Sequence, residues 1–101
     1  MTKRIEPEAR SLQLLDVAVA LAAADGLHSL TRDRIAQAAG CSPGLVSARL
    51  GSMEALRRSV MRAAVRRRII RVVAEGLVSG DRHAAKADPE LKALAAAWVA
   101  R

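Results

Sequence analysis

The sequence predicts an all-α fold, a small helical bundle of about five helices. Three observations carry this. Half of the 101 residues are apolar (51%), yet there is no Phe, no Tyr and one Trp, so the core must be built from Leu, Val, Ile, Met and Ala. Alanine and leucine are strong helix formers, and Ala-rich runs occur from end to end. β-Branched residues are scattered rather than alternated, and no Asn-Gly type of hairpin dipeptide occurs.

The elements follow in order from their punctuation. Residues 1–10 read as a basic N-terminal arm. The first helix is expected from about Glu8 to Ala24, because Pro7 suits only a first turn and Gly26 reads as the stop. Leu14, Ala18, Leu21 and Ala22 recur on one face of it. Thr31 caps a second helix reaching about Ala39, with Ile35 inward and Gly40 ending it. Ser42 and Pro43 form a cap followed by proline at the first helical position, so a third helix is expected from Pro43 to Leu50, stopped by Gly51. Two short helices joined by Gly40-Cys41-Ser42 make a helix-turn-helix unit. Ser52 caps a fourth helix, expected to run unbroken to about Ala74. Residues 76–87 read as a linker, after a domain spanning 11–75. Asp88-Pro89-Glu90 opens a C-terminal amphipathic helix within 88–101, with Leu91, Leu94, Ala95 and Trp98 on one face.

Composition excludes several classes. One cysteine, Cys41, allows neither an intrachain disulfide nor a cysteine-based zinc site. His28 and His83 lie far apart, so no metal and no cofactor are expected. Cys41 reads as a small apolar residue of the turn. No apolar stretch approaches a membrane span, no signal peptide is visible, and a cytoplasmic setting is the default. A chain this short has little room for an enclosed pocket, so neither an enzyme nor a small-molecule ligand is expected.

Charge is more informative. Seventeen Lys and Arg against ten Asp and Glu give a net charge of +7. The excess is concentrated: residues 51–75 hold seven arginines against Glu54 and Glu75. A small protein this basic is suited to a polyanion such as nucleic acid or an acidic membrane surface.

From Leu14 to Leu56 the sequence reads LLDVAVALAAADGLHSLTRDRIAQAAGCSPGLVSARLGSMEAL. This stretch resembles the N-terminal DNA-binding domain of the TetR family of transcriptional repressors. Thr31, Ile35-Ala36, Ala39-Gly40-Cys41-Ser42, Gly44 and Gly51-Ser52-Met53-Glu54-Ala55-Leu56 stand where that family has its capped helix, turn, recognition helix and following helix. Three positions depart from the pattern. Ser47 and Arg49 stand where Tyr and His are frequent, and Met53 stands where lysine often opens the fourth helix. Members of the family usually run to about twice this length, with a C-terminal ligand and dimerisation domain. The resemblance therefore implies DNA binding and does not imply small-molecule sensing.

The expected DNA-binding residues are Thr31, Arg32, Ser42, Pro43, Gly44, Leu45, Ser47, Ala48, Arg49, Arg57 and Arg58. Gly44, Ser47 and Ala48 permit close approach to the major groove, and Ser47 discriminates bases weakly. Leu45 suits either a thymine methyl or the core. Arg49 suits either guanine or a phosphate. Thr31 and Ser42 bring hydroxyls and free helix-end amides toward phosphates. The expected partner is double-stranded DNA, bound by a homodimer or higher homo-oligomer that associates with the nucleoid. Leu91, Leu94 and Trp98 are the candidates for an oligomer seam, or else pack within the monomer. The leading function is a transcriptional regulator acting as a repressor. One alternative is a DNA-recognition subunit of a phage or mobile-element packaging or recombination machine. Another is an Arg-rich helical module for an acidic protein or membrane.

Overall fold

The computed structural model describes residues 6–101 and contains seven α-helices among them. They are α1 (Pro7–Asp25), α2 (Arg32–Ala39), α3 (Pro43–Leu50), α4 (Met53–Arg67), α5 (Ile70–Ser79), α6 (Arg82–Ala85) and α7 (Pro89–Ala100), with a 3-10 turn over Leu27–Ser29. The all-α expectation holds, with two more helices than expected. Pro7 opens α1, so residues 7–10 belong to its first turn rather than to an arm. The first five residues of the expected arm lie outside the described residues.

The helix starts follow the capping residues. The side chains of Thr31, Ser42 and Ser52 accept hydrogen bonds from the amides of Arg34 (3.1 Å), Leu45 (3.2 Å) and Ala55 (3.1 Å). Each occupies one of the donors that a helix start leaves unpaired. Between α2 and α3, Gly40 adopts the left-handed region (φ 70°). The Cys41 amide reaches back to the Ala36 carbonyl at 3.0 Å, closing the end of α2.

One core joins all of these elements. Leu14, Ala18 and Ala22 of α1 are fully buried, as are Ile35 of α2, Val46 of α3, and Leu56 and Val60 of α4. Burying a side chain the size of leucine contributes about 1.5–3 kcal/mol, so these positions hold the helix-turn-helix against α1 and α4. The same core extends through Val72 and Val73 of α5, Ala84 of α6, and Leu91 and Ala95 of α7.

The fourth helix does not run unbroken to Ala74. It ends at Arg67, and Arg68 takes the left-handed conformation (φ 56°). The Ile69 amide bonds to the Ala64 carbonyl at 2.9 Å and the Arg68 amide to Val65 at 3.3 Å, a helix-ending pair. A non-glycine residue there costs about 1–2 kcal/mol of backbone preference. Distant groups hold it: the Arg68 guanidinium pairs with Asp88 at 2.7 Å and Glu90 at 3.4 Å.

The expected linker is also structured. Gly76 lies inside α5 and is buried, because Met61 and Ala84 approach its backbone closely. Asp81 accepts hydrogen bonds from the amides of His83 and Ala84 and starts α6. Ala84 and Ala87 are buried. The expected Asp88 cap is present, accepting from the Leu91 amide at 2.8 Å. α5 packs chiefly against α7. Leu91 is fully buried there, which corrects its placement at an oligomer seam. Its apolar surface is already covered within the chain.

Candidate nucleic-acid interface

α3 is eight residues long, and its two sides differ in kind. Val46 is fully buried, while Leu45 and Leu50 pack partly buried against the core. Gly44 and Ala48 are exposed, and Ser47 between them is half-buried. With Ser42 and Pro43, also exposed, they make a ridge of small side chains. Such a surface admits close approach of another backbone, and a helix of this size fits the major groove of B-form DNA.

The structure brings Thr31, Arg32, Pro43 and Arg57 together. They line one open groove with Leu30, Asp33 and Met53. Three helix starts, those of α2, α3 and α4, therefore meet beside the α3 ridge. Aligned peptide dipoles make such starts favourable to anions. Asp33 opposes this with a carboxylate in the first turn of α2. Sequence reasoning named neither Asp33 nor Met53 as a groove residue. The only advance signal was Met53 occupying a position where lysine is frequent.

The remaining expected residues separate into two groups. Arg57 and Arg58 are exposed at the start of α4. Leu45 is partly buried, packing one side against the core. Arg49 is half-buried at the C-terminal end of α3, and its Nε is covered without a hydrogen-bond partner. Its carbonyl lies 3.5 Å from the Ser11 Oγ of α1. The covered Nε leaves the outer guanidinium nitrogens as its usable donors, at the edge of the ridge rather than on it. Arg32 is likewise half-buried with a covered, unpartnered Nε.

The arginines of the basic run divide sharply by partner. Arg67 pairs with Asp16 at 2.7 Å, and Arg68 pairs with Asp88 and Glu90. Arg71 donates to the carbonyls of Ala23 and Ala24 and lies 5.9 Å from the Trp98 ring centre. Arg34 of α2 pairs with Asp25 at 2.6 Å. By contrast Arg57, Arg58, Arg62 and Arg66 have no carboxylate within ion-pair distance among the described residues. The first part of α4 thus keeps its charge available, and the charge beyond Arg66 is spent on holding the fold.

Among the described residues no group of three or more His, Cys, Asp or Glu is placed to hold a metal ion, and no helix is long and apolar enough to cross a membrane. Trp98 packs partly buried against the core, with the Arg101 guanidinium 3.6 Å from its ring centre. Leu94 is 43% exposed.

Comparison with known proteins agrees with this geometry. The model of the family described as bacterial regulatory proteins, tetR family, matches residues 14–60. Neither the curated proteins nor the solved structures give a match. The matched span begins at the buried Leu14 of α1 and ends at the buried Val60 of α4, enclosing the capped helices, the small-residue ridge and the groove. Residues 14–60 are the N-terminal helix-turn-helix DNA-binding domain of the tetR family of bacterial regulatory proteins.

Proposed function

We propose that this protein represses transcription by occupying a duplex DNA site, with α3 in the major groove. The observation that carries the reading is the ridge of exposed Gly44 and Ala48 with half-buried Ser47 between them, flanked by the groove in which Thr31, Arg32 and Arg57 converge. Small side chains bring the helix backbone close to base edges. Ser47 supplies one adaptable hydroxyl, so direct base discrimination is modest. Arg57 and Arg58 supply charge for the phosphates on one side, and the outer nitrogens of Arg49 supply it on the other. Affinity then comes mainly from phosphate contacts, and positioning precedes specificity.

One short helix reads few base pairs, so the reading includes a homodimer with half-sites about one helical turn apart. Exposed Val78 and Val99, with Ala74, Glu75 and Trp98, line an apolar groove between α5 and α7. This supports a self-association surface remote in sequence from α3.

A mobility-shift titration against random and genomic duplexes tests the reading. The expected result is retarded complexes at low salt, with a subset of genomic fragments persisting as salt rises. No complex with any duplex at low salt overturns it. Sedimentation of the free protein and of the complex reports the stoichiometry.

A further inference from the structure

A second cationic groove lies away from the helix-turn-helix. It is lined by Arg62, Val65 and Arg66 of α4 together with His83 of α6 and Lys86, which follows it. Arg62 and Arg66 are four residues apart, hence on one face of α4, where like charges repel. Neither has an acidic residue three or four positions away along the helix. None of Arg62, Arg66, His83 or Lys86 has a carboxylate within ion-pair distance among the described residues.

Arg57 and Arg58 are likewise unpaired, whereas several other arginines of the fold are neutralised. Arg34, Arg67 and Arg68 each meet a carboxylate, and Arg71 is shared between two carbonyls and an indole. Acidic residues thus neutralise three of the arginines, and this groove receives none. Two helices instead turn four nitrogen-bearing side chains to one opening. Guanidinium forks and an ammonium suit the tetrahedral, multiply charged oxygens of phosphate groups. The imidazole adds one ring N–H donor. Val65 gives the groove an apolar floor.

We infer that Arg62, Arg66, His83 and Lys86 form a phosphate-binding site separate from the α3 ridge. Along the α4 axis Arg62 and Arg66 stand about 8 and 13 Å beyond Arg57 by helical rise, and they line a different groove from the one Arg57 lines. The ligand is a run of adjacent phosphate groups, either a free polyphosphate chain or the backbone of a nucleic acid strand.

Inorganic tripolyphosphate is the first probe, titrated calorimetrically into the whole chain and into two double variants of equal charge. These are Arg62→Gln with Arg66→Gln, and Arg57→Gln with Arg58→Gln. All four positions are exposed, and circular dichroism confirms that both variants fold. The expected result is saturable one-to-one binding that survives the second pair and weakens at least about tenfold in the first, the scale of a lost charge-assisted contact. His83→Gln with Lys86→Gln is expected to weaken it in parallel. Equal weakening by the 62/66 and 57/58 pairs would show a response to net charge alone and overturn the inference, as would absence of saturable binding.

The source of the phosphate is read from duplex DNA in a second arm. If it is the nucleic acid backbone, the 62/66 pair lowers the salt dependence of DNA binding by up to about two phosphate contacts and tripolyphosphate competes with DNA. If it is a free polyphosphate, the salt dependence is unchanged and tripolyphosphate binds the DNA complex as well.

Discussion

The Glu75 carboxylate accepts the Leu27 backbone amide through both oxygens, at 2.8 and 3.0 Å, across 48 residues of sequence. A residue of α5 thus fixes the turn that leads from α1 into α2. The same carboxylate lies 3.3 Å from the His28 ring nitrogen. The Glu75 side chain is 24% exposed, so the amide has limited access to replacement water.

Glu75→Ala is expected to lower folding stability by about 1–3 kcal/mol, the usual cost of removing a charged acceptor from a partly covered donor. Urea denaturation measures it. His28→Ala is the comparison: the His28 side chain is 80% exposed, and its loss should change stability by less than about 0.5 kcal/mol. Equal effects would show that the imidazole contact, rather than the amide contact, carries the link.

Gly76→Ala tests the closeness of α4, α5 and α6. A Cβ at this position would stand 2.6 Å from the Met61 Cε and 2.7 Å from the Ala84 Cβ. Methionine can move, but the alanine cannot without shifting α6. The expected cost is about 1–3 kcal/mol by overpacking, against the gain in helix propensity that alanine would bring in an open helix. A stabilised variant would mean that α6 is not seated on α5.

These two positions also show where the sequence was legible. Thr31, Gly40 and Ser42 act on their own backbone neighbours, so their caps and turn follow from local chemistry. Gly76 reads as the start of a linker because its reason for being glycine lies at Met61 and Ala84, distant in sequence. The break at Arg68 was illegible for the same cause: Asp88 and Glu90 hold a left-handed residue that carries no local turn signal. Leu91 belongs to a visible apolar stripe, yet periodicity does not name the partner that covers it. At the candidate interface the residue types were readable, whereas the arginines left unpaired depended on where Asp16, Asp25 and Asp88 came to rest.

Asp88 gives the fold an acid-sensitive contact. The Leu91 amide and then the Arg68 guanidinium hold its carboxyl below the ordinary value. The folded form therefore binds this proton less readily than the unfolded chain. Its contribution is present above the ordinary carboxylate range near pH ~4 and is lost as pH falls through the lower folded value. Thermal unfolding from pH 6 to pH 2 is expected to show Asp88→Asn less stable than the parent at pH 6. The difference should narrow toward the acid end. A constant difference would assign the effect of the variant to shape rather than charge.

Arg57 and Arg49 are expected to act on phosphates. Arg57→Ala should weaken binding to all duplexes alike and reduce the slope of log affinity against log salt by about 1. Arg49→Ala should do the same, because its half-buried stem holds the guanidinium beside the ridge. Fluorescence anisotropy with several unrelated duplexes checks both. A loss of about 1–3 kcal/mol confined to one sequence would place Arg49 on a base edge instead.

Ala48 separates the fold from the interface most cleanly. It is exposed on α3, four residues after Gly44, and Ala48→Glu keeps a good helix former at the position. Folding stability is expected to change by less than about 0.5 kcal/mol, as for a surface site. DNA affinity, by contrast, should fall by more than about 1–3 kcal/mol, since a carboxylate would enter the groove where the smallest side chains stand. Ala48→Ser, which adds a hydroxyl without charge, should retain binding and shift sequence preference. If Ala48→Glu binds duplexes as tightly as the parent, the ridge of α3 does not face DNA. The phosphate contacts would then belong to the cationic side of α4, where Arg58, Arg62 and Arg66 recur every four residues.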